Sequence, residues 1–180
     1  MDIYQLFIEY NKAWTQREIL AFLLIFAIAA AISIRKVKEQ KIRKSQAIAG
    51  LLFLTFIAVV YASTVLTRNP EPYARYNLEI FWSWKAVMTG SREMLKESLL
   101  NCILLFPAGL LLPFMCGRKV RWWQGLLCGI VLSFGIESLQ LILHRGLFEL
   151  DDIIHNSLGC MAGCVISGSI LKRLKNEVRK

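Results

Sequence analysis

Apolar stretches of membrane-spanning length recur five times in this chain, and no other feature restricts its fold so severely. They cover residues 19–34, 47–66, 99–115, 124–143 and 157–171. A hydrocarbon layer about 30 Å thick needs about 20 mostly apolar residues per helix. Inside it each backbone N–H and C=O must find a partner within the protein, which selects helices. At 56% hydrophobic residues in a chain of 180, there is more apolar surface than one soluble core would hide. The expected fold is all-α: a polytopic integral membrane helical bundle of about five transmembrane helices. The last stretch, "SLGCMAGCVISGSIL", is short and rich in small residues, so it needs close partner helices to span.

Three segments follow from the same pattern. Residues 1–18 lack the basic start of a cleaved secretory signal and carry acids and aromatics before the first apolar run, so they read as an interfacial lead-in. Residues 19–171 form the bundle and 172–180 a basic tail. There is no repeat at solenoid period and no room for a separate soluble domain.

Orientation comes from Lys and Arg, which accumulate on the cytoplasmic side of short loops. "RKVKEQKIRKSQ" holds six, "GRKVRWWQ" three and the tail "KRLKNEVRK" five. These segments take fourteen of the 22 basic residues and only two of the 13 acidic ones, Glu39 and Glu177. They are expected inside, which places the N-terminus outside the cell membrane and the C-terminus in the cytoplasm. The net charge of +9 is thus a topology signal, and a nucleic-acid surface is excluded as a reading because the charges flank apolar spans. Trp122 and Trp123 at the inner boundary, and Trp82 and Trp84 near the outer one, suit interfacial anchors. The five cysteines lie in or at the ends of spans, where they read as small apolar packing residues. Their odd number argues against a disulfide framework.

Polarity concentrates in "GIESLQLILHRGLFELDDIIHNSLG", residues 135–159. Ser133, Glu137, Gln140 and His144 share one helix face, as do Asp152, Asn156, Gly159 and Gly163. Gly159 and Gly163 form a small-xxx-small pair that lets another helix approach closely, and Gly125 and Gly129 offer a similar patch on the fourth span. On the third span Glu97 and Asn101 stand one turn apart, with Pro107 further in, where it removes a backbone donor and kinks the helix. The expected binding site at the outer end therefore gathers Glu97, Asn101, Glu137, Gln140, Arg145, Asp151, Asp152 and Asn156, with Arg145 as counter-ion to Glu137 or Asp152. Asp151, Asp152 or Asn156, taken singly, reads equally well as a helix cap. Glu137 and Asn101 do not, because they interrupt apolar runs.

With those residues in view, the chain resembles the VanZ-like family, small bacterial membrane proteins named after a protein associated with resistance to the glycopeptide teicoplanin. Three blocks carry the resemblance in order: "YNLEIFWSWK"; "ESLLNCILLFPAGLLLP", similar to an E-x-x-x-N element followed by a phenylalanine-proline-x-glycine turn; and Ser133, Ile136, Glu137 and Gln140 followed by Arg145, Asp151, Asp152, Asn156 and Gly159. Together they cover roughly residues 70–165. The first block has Glu79 and Ile80 where many members carry a proline, and His155 stands where the family is usually apolar, so no role passes to it. The resemblance implies a link to glycopeptide or lipoglycopeptide tolerance in the cell envelope, without an established reaction.

The leading functional expectation is an envelope-facing binding or interaction protein. Its partners would be membrane lipids, a lipid-linked cell-wall precursor, a lipoglycopeptide or an envelope protein. The alternative is an intramembrane hydrolase or transferase acting on a lipid head group, with Glu137 and Asp152 as general base and acid. No nucleophile elbow, no H-E-x-x-H and no strong metal spacing supports it. A divalent metal on His144, Asp151, Asp152 and His155 is a weaker reading, since an acidic loop with histidines is more often a solvated helix start. No cofactor and no metal is expected. Transport would call for inverted repeats, which the five spans do not show.

Overall fold

The computed structural model describes residues 14–177. Residues 1–13 of the lead-in and the last three residues of the tail lie outside the described residues. Six helices carry the fold: α1 (Gln16–Lys38), α2 (Lys44–Tyr61), α3 (Trp82–Met88), α4 (Arg92–Cys116), α5 (Trp122–Leu143) and α6 (Leu150–Glu177). All but the short α3 are long and apolar enough to cross a membrane.

Two of the starts have a plain local cause. Thr15 and Glu18 cap α1 reciprocally, Thr15 N–H donating to Glu18 Oε2 at 2.8 Å and Glu18 N–H to Thr15 Oγ1 at 3.3 Å, which satisfies two orphan donors. Ser91 Oγ caps α4 by accepting from Met94 N–H, and Gly117 ends that helix in the left-handed region at φ 65°. Between these limits α4 runs through both Pro107 and Pro113 as one helix. Each proline deletes a backbone bond, so the continuity of α4 depends on what it packs against.

That partner is α6, which lies between α4 and α5. Half of its apolar window is buried inside the bundle, whereas none of that of α1 is; α1 rests on α2 at the periphery. Backbone approach is close at glycines: a Cβ on Gly159 would lie 1.7 Å from Cys102 O, and one on Gly109 2.0 Å from Cys160 O. Gly125 and Gly129 of α5 meet α6 at Cys164 and Ser157 in the same manner. The small-residue spacing expected to bring helices together thus does so on both sides of α6. Around it Val60, Val65, Leu105, Ala108, Ile136 and Cys160 form the main apolar core. Cys160 and Cys164 are fully buried packing residues, and all five cysteines are free.

Two ends of the bundle differ in chemistry. At one, Gln46 Nε2 donates to Met115 O at 3.3 Å, placing the basic α1–α2 and α4–α5 connections side by side. At the other, α2 widens into a π-helical turn (Ala62–Leu66), closed by Thr67 N–H donating to Ala62 O at 2.9 Å. The chain there also forms a small parallel ribbon that hydropathy alone does not suggest. In it β1 (Arg75–Asn77) pairs with β2 (Leu147–Glu149), Tyr76 opposite Phe148.

One boundary extends beyond its apolar stretch. The last helix begins at Leu150, seven residues before its apolar stretch, because Asp151 and Asp152 in its first turn find partners and favour the positive end of the helix dipole. Starting there gives the final span 24 apolar-compatible residues, Leu150–Arg173, which removes its apparent shortness.

Candidate functional site

At the ribbon end, α4 and α5 both pack on α6 and make little contact with each other. The gap between them is a cavity of about 290 Å³, bordered also by the π turn and β2. Of the expected residues, Glu97 and Asn101 reach it from α4, Glu137 and Gln140 from α5, and Asp152 and Asn156 from α6. Helix periodicity accounts for each pair: positions four or three apart share a face, and each of those faces turns inward.

The polar groups hold one another. Asn101 Nδ2 donates to Asp152 Oδ1, joining α4 to α6. Ser133 Oγ donates to Asp152 O at 3.5 Å and accepts from Asn156 Nδ2 at 2.9 Å, joining α5 to α6. Glu137, 2% exposed, accepts from Glu149 N–H on Oε2 at 3.0 Å, so this carboxylate inside an apolar run fixes the strand that leads into α6. Gln140 Nε2 donates to Thr64 O at 3.0 Å, tying α5 to the π turn.

Arg145 and Asp151 are corrected. Arg145 is not the counter-ion of Glu137 or Asp152: its Nη1 donates to Leu66 O and to Val65 O. The reason is the π turn, whose terminal carbonyls carry the negative end of the α2 dipole and attract a cation. Asp151 does not line the cavity either. Its two oxygens accept from Phe81 N–H at 2.6 Å, from Ser83 N–H at 2.9 Å and from Ser83 Oγ–H, anchoring the β1–α3 segment. His144 leaves the stripe as well, ending α5 in the left-handed region at φ 55°. His155 faces α3, stacked on Trp84 and accepting from its Nε1 at 2.7 Å. Among the described residues no three histidine, cysteine or carboxylate groups stand together as metal ligands.

Two charged residues of the cavity were missed by sequence reasoning, Arg68 and Glu149. Arg68 sits in the irregular stretch after α2 and has no periodicity to betray it. Glu149 had a signal, its adjacency to Asp151 and Asp152, but only β-pairing turns it inward. Burial pushes the Glu149 carboxyl up to about 7, helped by the negative charges of Asp152, Glu97 and Asp151 and opposed by the nearby Trp82 indole. Neither Trp82 Nε1 nor Glu149 Oε1 reaches hydrogen-bond geometry with any partner.

A stability effect follows, and its sign is fixed. Folded Glu149 binds its proton more tightly than the ordinary carboxyl value of 4.5, so the folded form is favoured below that value and loses ground as pH rises to about 7. The detergent-solubilised protein is expected to melt at higher temperature at the acid end of this window, and Glu149→Gln to flatten the dependence. A wild-type melting temperature that rises with pH across the window would contradict the assignment.

A protein-family model described as VanZ/LLP1 matches residues 46–171. That is more than half of the chain and includes every cavity residue named above. No curated protein and no solved structure matches the chain.

Proposed function

The chain belongs to the VanZ-like family, and from that premise we propose that it is an envelope-facing binding protein whose cavity engages a lipid-linked cell-wall precursor, a lipoglycopeptide or an envelope partner. One observation carries the reading: the polar residues of the family-like motifs, on three different helices, face a single cavity at one end of an apolar bundle. Buried ionisable groups are costly in a membrane and are kept where they serve a ligand or a path.

The basic connections lie at the opposite end from the cavity, which supports an outward-facing site and a C-terminus in the cytoplasm. An enzymatic reading ranks second. It is favoured by Glu137 and Asp152 lining the same space, an arrangement suited to acid–base work on a lipid head group.

The test is expression in a susceptible bacterium, with teicoplanin susceptibility and mass spectrometry of co-purified small molecules measured for wild type and Glu137→Ala. Wild type is expected to raise the inhibitory concentration and to retain a ligand that the variant loses. Equal inhibitory concentrations with and without the protein would remove the tolerance role, and identical co-purified species would remove the pocket.

A further inference from the structure

The cavity is unbalanced in charge and in hydrogen bonding. Among the described residues four carboxylates line it, Glu97 from α4, Glu137 from α5, Glu149 from β2 and Asp152 from α6, against one cation, Arg68, from the stretch after α2. No salt bridge among the described residues joins Arg68 to any of them. Where such a surplus is buried it is relieved by protonation, as at Glu149, or by positive charge from outside the chain.

A second observation is independent of the carboxylates. Asn156 lines the cavity, is 1% exposed, and has an Oδ1 with no hydrogen-bond partner. Asn156 Nδ2 donates to Ser133 Oγ at 2.9 Å, and Oδ1 on the other side of the amide is left as a bare acceptor. A buried acceptor without a donor is destabilising, and a ligand N–H would remove that penalty.

The occupant is therefore cationic and a hydrogen-bond donor. A bare metal ion fits poorly, because the carboxylates are not grouped as ligands and about 290 Å³ is far more than the ~30 Å³ share of a single water. The space suits an organic group of several heavy atoms, and Arg68 supplies a partner for an anion attached to it.

We propose that the cavity takes a primary ammonium group, presented either by the head group of an aminophospholipid or by a water-borne amine. This rests on the cavity being a binding pocket, and specifies its ligand. The carboxylates balance the ammonium charge, its N–H groups reach acceptors such as Asn156 Oδ1, and Arg68 faces the adjoining phosphate or carboxylate where there is one. A quaternary ammonium has the charge but no N–H, so it satisfies only half of the requirement.

The experiment uses the full chain in nanodiscs containing equal amounts of phosphatidylethanolamine, phosphatidylcholine and phosphatidylglycerol, with retained lipid read by native mass spectrometry. A second arm measures thermal stabilisation in detergent by ethylamine against tetramethylammonium. Wild type is expected to prefer the primary over the quaternary amine by about tenfold, the equivalent of one charge-assisted hydrogen bond. Glu149→Gln, and Glu97→Gln at an exposed position where folding is not at stake, are expected to weaken that preference severalfold.

Preference in the nanodisc arm alone assigns the ammonium to a lipid, and in the amine arm alone to a water-borne compound; either supports the proposal. No preference in both arms, or a preference untouched in both variants, overturns it. If a ligand lost in Glu137→Ala still co-purifies with wild type, that failure belongs to the ammonium assignment and leaves the pocket standing.

Discussion

Gly159→Ala is expected to destroy the folded bundle. The added Cβ would sit 1.7 Å from the Cys102 carbonyl oxygen and 2.7 Å from its carbon. Both are backbone atoms of α4, so no side-chain rotation relieves the overlap. The same approach repeats along the interface, with Phe106 O 2.2 Å from a Cβ on Gly163, and α4 would have to move away over its length. Overpacking in a core is typically destabilising by about 1–3 kcal/mol when side chains can adjust; between two backbones the larger end or more is expected. Separation would also break the Asn101–Asp152 bond and open the cavity wall. Size-exclusion profile and melting temperature in detergent are the readouts, with Gly50→Ala as control, since its nearest neighbour would be Met115 Cγ at 3.7 Å. A Gly159→Ala protein that elutes and melts like wild type would refute the packing.

Asp151→Ala is expected to release the segment from β1 to α3 while leaving the long helices assembled. The carboxylate is 1% exposed and accepts from Phe81 N–H, Ser83 N–H and the Ser83 hydroxyl. Phe81 is itself in the left-handed region at φ 63°, a conformation a bulky residue adopts only when its surroundings enforce it. Hydrogen bonds to a charged group contribute about 1.5–3 kcal/mol each. Loss of the acceptor is expected to lower the local stability of this segment by about 3–5 kcal/mol after allowing for water replacing part of the interaction. Hydrogen exchange across 75–88 should accelerate strongly, with Asp151→Asn intermediate because it keeps one acceptor oxygen. Unchanged protection in Asp151→Ala would show that the ribbon and Trp84–His155 stacking hold the segment unaided.

These residues show where sequence reasoning reaches and where it stops. Glu97, Asn101, Glu137, Gln140, Asp152 and Asn156 were legible because each belongs to a regular helix, where spacing along the chain fixes direction in space. Arg145 and Asp151 were misplaced for a shared reason. Both adjoin irregular backbone, and irregular backbone has carbonyls and N–H groups that need partners; the nearest charged side chains are taken for that purpose.

Alone, the sequence determined the five apolar spans, the basic end of the bundle, the glycine faces along which α6 meets its neighbours, and the helical part of the polar site. All of these depend on local periodicity or on the energetic demand that a membrane makes of every residue in turn. The tertiary structure decided the rest: the π turn, the parallel pairing of β1 with β2, the inward placement of Arg68 and Glu149, and the hydrogen bonds that Arg145 and Asp151 make with distant segments. Those depend on contacts between segments distant in the chain, such as Arg145 with Leu66 or Phe81 with Asp151, for which no period along the sequence exists.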